Sequence, residues 1–202
     1  MSAEVSAAVI DELIERLQRT RDPQLVRSYV PSFRLRACRA GDVLLQQGER
    51  WTDAYFVESG LLRVHSVEPD GKDHTKSFWI EGTMLIPLTP AMQEQPSSFM
   101  VSALEPARVW QAPWADLRAA LDAQALWQPL CTVMLARLLD QKQQREHTLL
   151  ALTGRERYLR LCHQQPALAA RVPLVHLASY LGITDVSLSR IRRQLRQQAG
   201  PL

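Results

Sequence analysis

The residues best placed to do chemistry lie between Leu174 and Arg196. Leu177, Leu181, Ile183, Leu188 and Ile191 recur at the spacing that closes a pair of helices. Between them stand Ala178, small enough for two helices to touch, and Gly182, which takes a positive φ at a turn without steric cost. Thr184 is then the natural N-cap of a second helix. The pattern predicts a helix-turn-helix whose second helix presents Thr184, Asp185, Val186, Ser187, Ser189, Arg190 and Arg193 on its exposed face. Hydroxyls and guanidinium groups on such a face suit base edges in a major groove and the phosphates beside it. Asp185 fits two roles, accepting from a cytosine amino group or stabilising the start of its helix. A plain helical hairpin accounts for the apolar spacing, but not for Arg190, Arg192, Arg193 and Arg196 crowded onto one helix.

Charge is distributed in the same sense. The whole chain carries only +3. From Ala151 onward, however, eight arginines face only Glu156 and Asp185. The earlier part holds the other 16 basic and 19 acidic residues. A near-neutral front joined to an arginine-rich tail suits a sensor followed by a DNA-binding unit, and equally a basic solvated face.

Other chemistries find little support. Cys162 and His163 are neighbours, and neighbours on a helix point apart, so they form no nucleophile–base pair. Asp70-Gly71-Lys72 is a turn and not a phosphate loop. No enzymatic activity is expected. Cys38, Cys131 and Cys162 are too few and too scattered for a disulfide framework or a metal knuckle, which points to a reducing, cytoplasmic setting without a metal. The first residues, MSAEVSAAVIDELIERLQ, lack the basic start and apolar block of a signal peptide, and no apolar run is long enough to span a bilayer.

The elements that must carry the arginine-rich helix follow from periodicity. A helix is expected on Val9, Ile10, Leu13, Ile14 and Leu17, and a second short one after Asp22-Pro23. From Phe33 to Pro113 the period falls to two, with turns at Gly41-Asp42, Ser59-Gly60, Pro69-Asp70-Gly71-Lys72 and Glu81-Gly82. Short strands at that spacing predict an antiparallel sandwich or barrel. Helical spacing returns at Trp114–Leu121 and again from Pro129 to about Leu150. The second of these is apolar in its first half and polar in its second, as in a dimer seam or a connector. The expected division is residues 1–125, 126–150 and 151–202.

Several of these stretches together resemble the CRP/FNR superfamily of bacterial regulators. Gly41 to Glu49 is similar to an early barrel strand and turn of that family, and Tyr55 to Arg63 to its next hairpin. Thr153-Gly154-Arg155-Glu156-Arg157 resembles the start of its DNA-binding domain, and Leu181 to Arg192 its helix-turn-helix. The resemblance implies an α+β protein. Residues 1–125 would form a double-stranded β-helix (jelly-roll) sensor barrel, 126–150 a long dimerisation helix, and 151–202 a winged helix-turn-helix. It further implies a homodimeric transcription regulator, an inverted-repeat DNA operator and, in an activator, RNA polymerase as a partner. Thr153, Thr184 and Ser187 would contact phosphates, and Arg190 and Arg193 would stand at DNA-contacting positions. The effector pocket would involve Met84, Ile86, Ser97 and Ser98. There Ile86-Pro87 replaces the family's Gly-Glu pair and Ser97 its arginine, so cyclic AMP is not the expected effector. No cofactor is expected, His65, His74 and Cys38 being read as ordinary strand or surface residues. A ligand-binding or scaffolding module that does not bind DNA is the alternative.

Overall fold

A computed structural model describes residues 32–123 and 125–198. The helices expected around Val9–Leu17 and after Asp22 lie outside the described residues. The described chain divides into two compact units. One runs to Ser66 and resumes over Phe78–Leu138; the other joins Val67–Ser77 to the chain from Leu139 onward.

Eight strands follow one another: β1 Arg34–Cys38, β2 Val43–Leu45, β3 Asp53–Ser59, β4 Leu62–Val67, β5 Asp73–Trp79, β6 Met84–Leu85, β7 Met100–Ala103 and β8 Ala107–Pro113. They form two four-stranded sheets, ordered β1-β8-β3-β6 and β2-β7-β4-β5, the arrangement of a jelly roll. Every pairing for which a register is resolved is antiparallel, such as Tyr55 opposite Gln111 and Val64 opposite Val101. A helical turn α1, Pro90–Glu94, interrupts the strands after β6. Thr89 caps it through a hydrogen bond from the Met92 N–H (3.2 Å), and Pro90 supplies the preset φ of a first helical position.

Strand alternation explains the two apolar layers. On β3, Tyr55 and Val57 point between the sheets, with Leu62, Val64, Val101 and Val109. Ala54 and Phe56 point to the other face, with Trp110 and Ala112 of β8. That outer layer is covered by helix α2, Trp114–Ala123, and by the first turn of α3, Trp127–Ala151, through Leu117, Leu121, Trp127 and Leu130. Trp114 meets Trp127 edge to face at 5.1 Å, and the Arg118 guanidinium lies 4.4 Å from the Trp127 ring. β3 and β8 are therefore buried on both faces, each fully buried Leu- or Phe-sized side chain contributing about 1.5–3 kcal/mol. Between the sheets, Trp51 packs against Trp79 (6.4 Å) and edge-on to Phe99 (5.7 Å). The Tyr55 hydroxyl donates to the Leu44 carbonyl at 2.9 Å, and burial pushes its pKa up.

After β8 the described elements are all helices. α3 is followed by α4 Gly154–Gln164, α5 Pro166–Arg171, α6 Leu174–Leu181 and α7 Asp185–Gln198. No helix among the described residues is long and apolar enough to cross a membrane.

Gly60 tests the sandwich. Its φ is +97°, and a Cβ there would stand 2.6 Å from the Ala107 Cβ and 2.8 Å from the Pro106 carbonyl oxygen. Left-handed backbone and overpacking act together, so Gly60→Ala should cost about 2–4 kcal/mol. Denaturant unfolding checks this, and a change within about 0.5 kcal/mol, the scatter of neutral surface substitutions, would contradict it.

Candidate nucleic-acid interface

The site is built on the α6–α7 turn. Leu177, Ala178, Leu181 and Leu188 are buried, and Ile183 and Ile191 half-buried, so the expected apolar closure is present. Gly182 adopts φ +66°, ψ +37°. Its N–H donates to the Ser179 carbonyl (3.2 Å), while the Ile183 N–H donates to the Ala178 carbonyl (3.1 Å). Those two bonds are the Schellman closure of a helix C-terminus.

Two arginines complete that terminus. Arg157 of α4 donates to the Leu181 carbonyl, and through Nε to the Leu152 carbonyl at 3.0 Å. Arg145 of α3 donates to the Tyr180 carbonyl at 2.8 Å while its guanidinium lies 4.1 Å from the Tyr180 ring. Burial lowers the pKa of Arg145, and Tyr180 opposes the shift. The neighbouring Ser179 is held as well: its Oγ accepts from the Thr75 N–H (2.9 Å) and donates to the Asp73 carbonyl (3.2 Å). On that hairpin Lys76 sits below the ordinary lysine range, first through burial and then through Lys142.

The start of α7 satisfies itself. Thr184 Oγ1 accepts from the Ser187 N–H at 3.1 Å and lies 2.8 Å from Ser187 Oγ. Asp185 Oδ1 accepts from the Val186 N–H at 2.8 Å, which is the helix-start role. Thr153 caps α4 in a reciprocal pair with Glu156: the Thr153 N–H donates to Glu156 Oε2 (2.8 Å) and the Glu156 N–H donates to Thr153 Oγ1 (3.3 Å). The Thr153 N–H, and then the Thr153 hydroxyl, which donates to the same oxygen at 2.8 Å, hold the Glu156 carboxyl below the usual carboxylate range. The hydroxyls of Thr153, Thr184 and Ser187 are thus already engaged within their own turns.

Of the expected site residues, Asp185, Val186, Ser189, Arg190 and Arg193 come together. With Leu174 they line an open groove of about 560 Å³. Among the described residues neither the Arg190 nor the Arg193 guanidinium has a hydrogen-bond or ion-pair partner, and both are exposed. Other arginines that contributed to the basic count are engaged: Arg155 donates to Gln198 Oε1 (2.7 Å), and Arg192 lies 5.9 Å from the Tyr158 ring. The sequence reading missed Arg145 and Arg157 as clamps, Ser179 as a hairpin anchor and Leu174 as a groove wall. Arg157 had drawn notice as one charge among eight and as the end of the Thr153–Arg157 stretch, Arg145 as part of the polar half of the long helix, and Leu174 and Ser179 only as members of the motif.

The four residues expected to line an effector pocket do not share a place. Met84 and Ile86 belong to the outer layer with Phe56 and Trp110. Ser97 instead donates its hydroxyl to the Phe99 carbonyl (2.7 Å), beside the Trp51 cluster, and Ser98 is exposed. What separates them is alternation: on β6 it is Leu85, not Met84, that points between the sheets. Among the described residues no group of three His, Cys, Asp or Glu side chains is gathered as a metal site would need. His65 Nε2 lies 3.0 Å from Ser102 Oγ.

Residues 35–124 match the family described as the cyclic nucleotide-binding domain. Among solved structures the chain resembles FixK2 from Bradyrhizobium japonicum, with a TM-score of 0.71 and 20% identity over 83% of this chain and 86% of that one. It also resembles the c-di-GMP-responsive global regulator CLP of Xanthomonas campestris, with a TM-score of 0.69 and 16% identity over 88% and 93%. A third similar structure, from Eubacterium rectale and assigned to the CRP/FNR family, gives 0.67 and 12% over 88% of each chain. A search of curated proteins by sequence finds no match. Residues 35–124 thus match the cyclic nucleotide-binding domain family, and the folds of the chain's parts are similar to those of these regulators.

The arginine clamps and the groove arginines should separate in a stability assay. Arg157→Ala removes a partly buried charged donor from two carbonyls and should lower stability by about 1–2 kcal/mol. Arg193→Ala should stay within about 0.5 kcal/mol. Thermal unfolding of both variants reads the difference, and equal losses would refute the division.

Proposed function

We propose that this chain is a homodimeric DNA-binding transcription regulator that lays α7 in the major groove. The observation that carries the reading is the pair of unpartnered guanidiniums, Arg190 and Arg193, on one open groove with Val186 and Ser189. Cations left without an internal partner are the groups a phosphate backbone and a guanine edge engage. In this reading residues 1–125 are the sensor, 126–150 the dimerisation helix and 151–202 the DNA-binding domain. Support for the dimer comes from α3, where Leu135 and Leu139, one turn apart, are exposed, Leu139 to 59%. A two-fold dimer reads an inverted repeat, its half-sites one helical turn, about 34–36 Å, apart. Reading chromosomal DNA places its work in the cytoplasm, with RNA polymerase as a partner if it activates. The wing is not part of this proposal, since no strand stands beyond α3 among the described residues.

The sensor's effector is not cyclic AMP. Ile86 is buried among aromatic side chains, and the Ser97 hydroxyl is spent on the Phe99 carbonyl. Neither can hold a ribose or a phosphate, and a buried phosphate without a cationic partner is costly. Calorimetric titration with cyclic AMP should show no micromolar binding; such binding would overturn this part.

Arg190 and Arg193 should fail differently. Arg190→Ala removes a bidentate guanine contact and should cost about 1–3 kcal/mol of discrimination between specific and random duplexes. Arg193→Ala should weaken both alike and lower the slope of log affinity against log salt by about one unit. A salt series on both duplexes tests the pair. If Arg190→Ala lowers both affinities by the same factor, Arg190 is a phosphate contact and α7 does not sit in the groove as proposed.

A further inference from the structure

We infer that Val186 reads the 5-methyl group of a pyrimidine, a thymine within one or two base steps of the guanine taken by Arg190. The inference rests on the DNA-reading role proposed for α7 and names what that face recognises. Val186 is the second residue of α7 and is 56% exposed. A β-branched residue gains little from a helix start. Nor does the fold need it for packing, which Ile183, Leu188 and Ile191 provide. Val175 is as exposed, but it does not line the groove, whereas Val186 shares the groove with Leu174, Ser189 and Arg190.

The hydroxyls of the first turn and one carboxylate oxygen of Asp185 are already engaged. Asp185 Oδ1 is turned back to the Val186 N–H, and Thr184 and Ser187 are bonded to each other. Ser189 and Arg190, one turn further on, keep their polar groups for base edges or phosphates, while in the first turn of the reading face Val186 presents an apolar group. The major groove offers one apolar group, the 5-methyl of thymine, and cytosine methylated at C5 presents the same group. Arg190 follows Val186 by four residues, about 6 Å along the axis, against about 3.4 Å per base step. A methyl contact and a guanine contact thus fit neighbouring base pairs of one half-site.

The test begins with a duplex enriched by the full-length protein from a random pool. Each thymine is then replaced in turn by uracil, which removes only the methyl group. One position per half-site should lose about fourfold in affinity, the worth of burying one methyl-sized group. The loss should vanish in Val186→Ala, which leaves the fold intact because the side chain is exposed. At that position 5-methylcytosine should bind about fourfold better than cytosine to the wild-type protein and no better to the variant. An enriched duplex with no uracil-sensitive position, or with a sensitivity that Val186→Ala leaves unchanged, would overturn this inference while leaving the DNA-reading role standing. A pool that yields no enriched sequence would overturn both.

Discussion

The last turn of α6 is the constraint on which the reading head depends. A helix ends with carbonyls that have no partner within the helix, and a buried end must find partners elsewhere. Here Gly182 turns into the left-handed region, so that its own N–H and that of Ile183 close on Ser179 and Ala178. The Tyr180 and Leu181 carbonyls are left over, and Arg145 and Arg157 take them. Positive charge at a helix C-terminus is favoured twice, by the hydrogen bond and by the helix dipole. With that end fixed, Ile183 packs against Gly154 of α4, Thr184 caps α7, and the direction in which Arg190 and Arg193 project is set. Gly182 tolerates little else. A Cβ there would meet the Arg157 guanidinium at 2.9 Å and a Leu149 methyl at 3.3 Å.

Arginine therefore does two jobs in this chain, and composition does not distinguish them. Arg157 lies among the same eight arginines as Arg190, yet it holds a backbone end that a neutral side chain would leave unsatisfied. The pattern of Leu177, Ala178, Leu181, Gly182 and Leu188 was readable from sequence because it is local: each residue's role follows from its distance along the helix pair. Arg145 and Arg157 were not, because their partners lie 35 and 24 residues away, and no periodicity encodes such a pairing. The same holds for Ser179, whose partner strand lies more than 100 residues earlier.

The barrel shows the same boundary. Strands β1 to β5 stand on either side of the turns expected at Gly41-Asp42, Ser59-Gly60 and Pro69-Asp70-Gly71-Lys72, because a turn and a period of two are local signals. β6 escaped, since two residues carry no period, and with it went the facing of Met84. Reading Met84, Ile86, Ser97 and Ser98 as one pocket assumed that family-like positions keep a family-like orientation. In this chain Trp51, Trp79 and Phe99 pack together beside Ser97, and Ile86 faces the opposite layer. Sequence could show that the charged cassette is missing; it could not show that aromatic packing stands beside the serine left in its place.

The chain passes between its two units at three points: from Ser66 to Val67 and from Ser77 to Phe78, on the two strands of the β4–β5 hairpin, and from Leu138 to Leu139 in α3. Each connection makes a polar contact with α6. The hairpin reaches Ser179 through Thr75 and Asp73, and α3 reaches Tyr180 through Arg145. Ser179 and Tyr180 are adjacent, and they lie in the turn whose closure orients α7. A shift of a fraction of an ångström at those backbone groups decides whether a carbonyl keeps its arginine or a hydroxyl its strand. The serine bonds are worth about 1 kcal/mol each and the charged Arg145 bond about 1.5–3 kcal/mol.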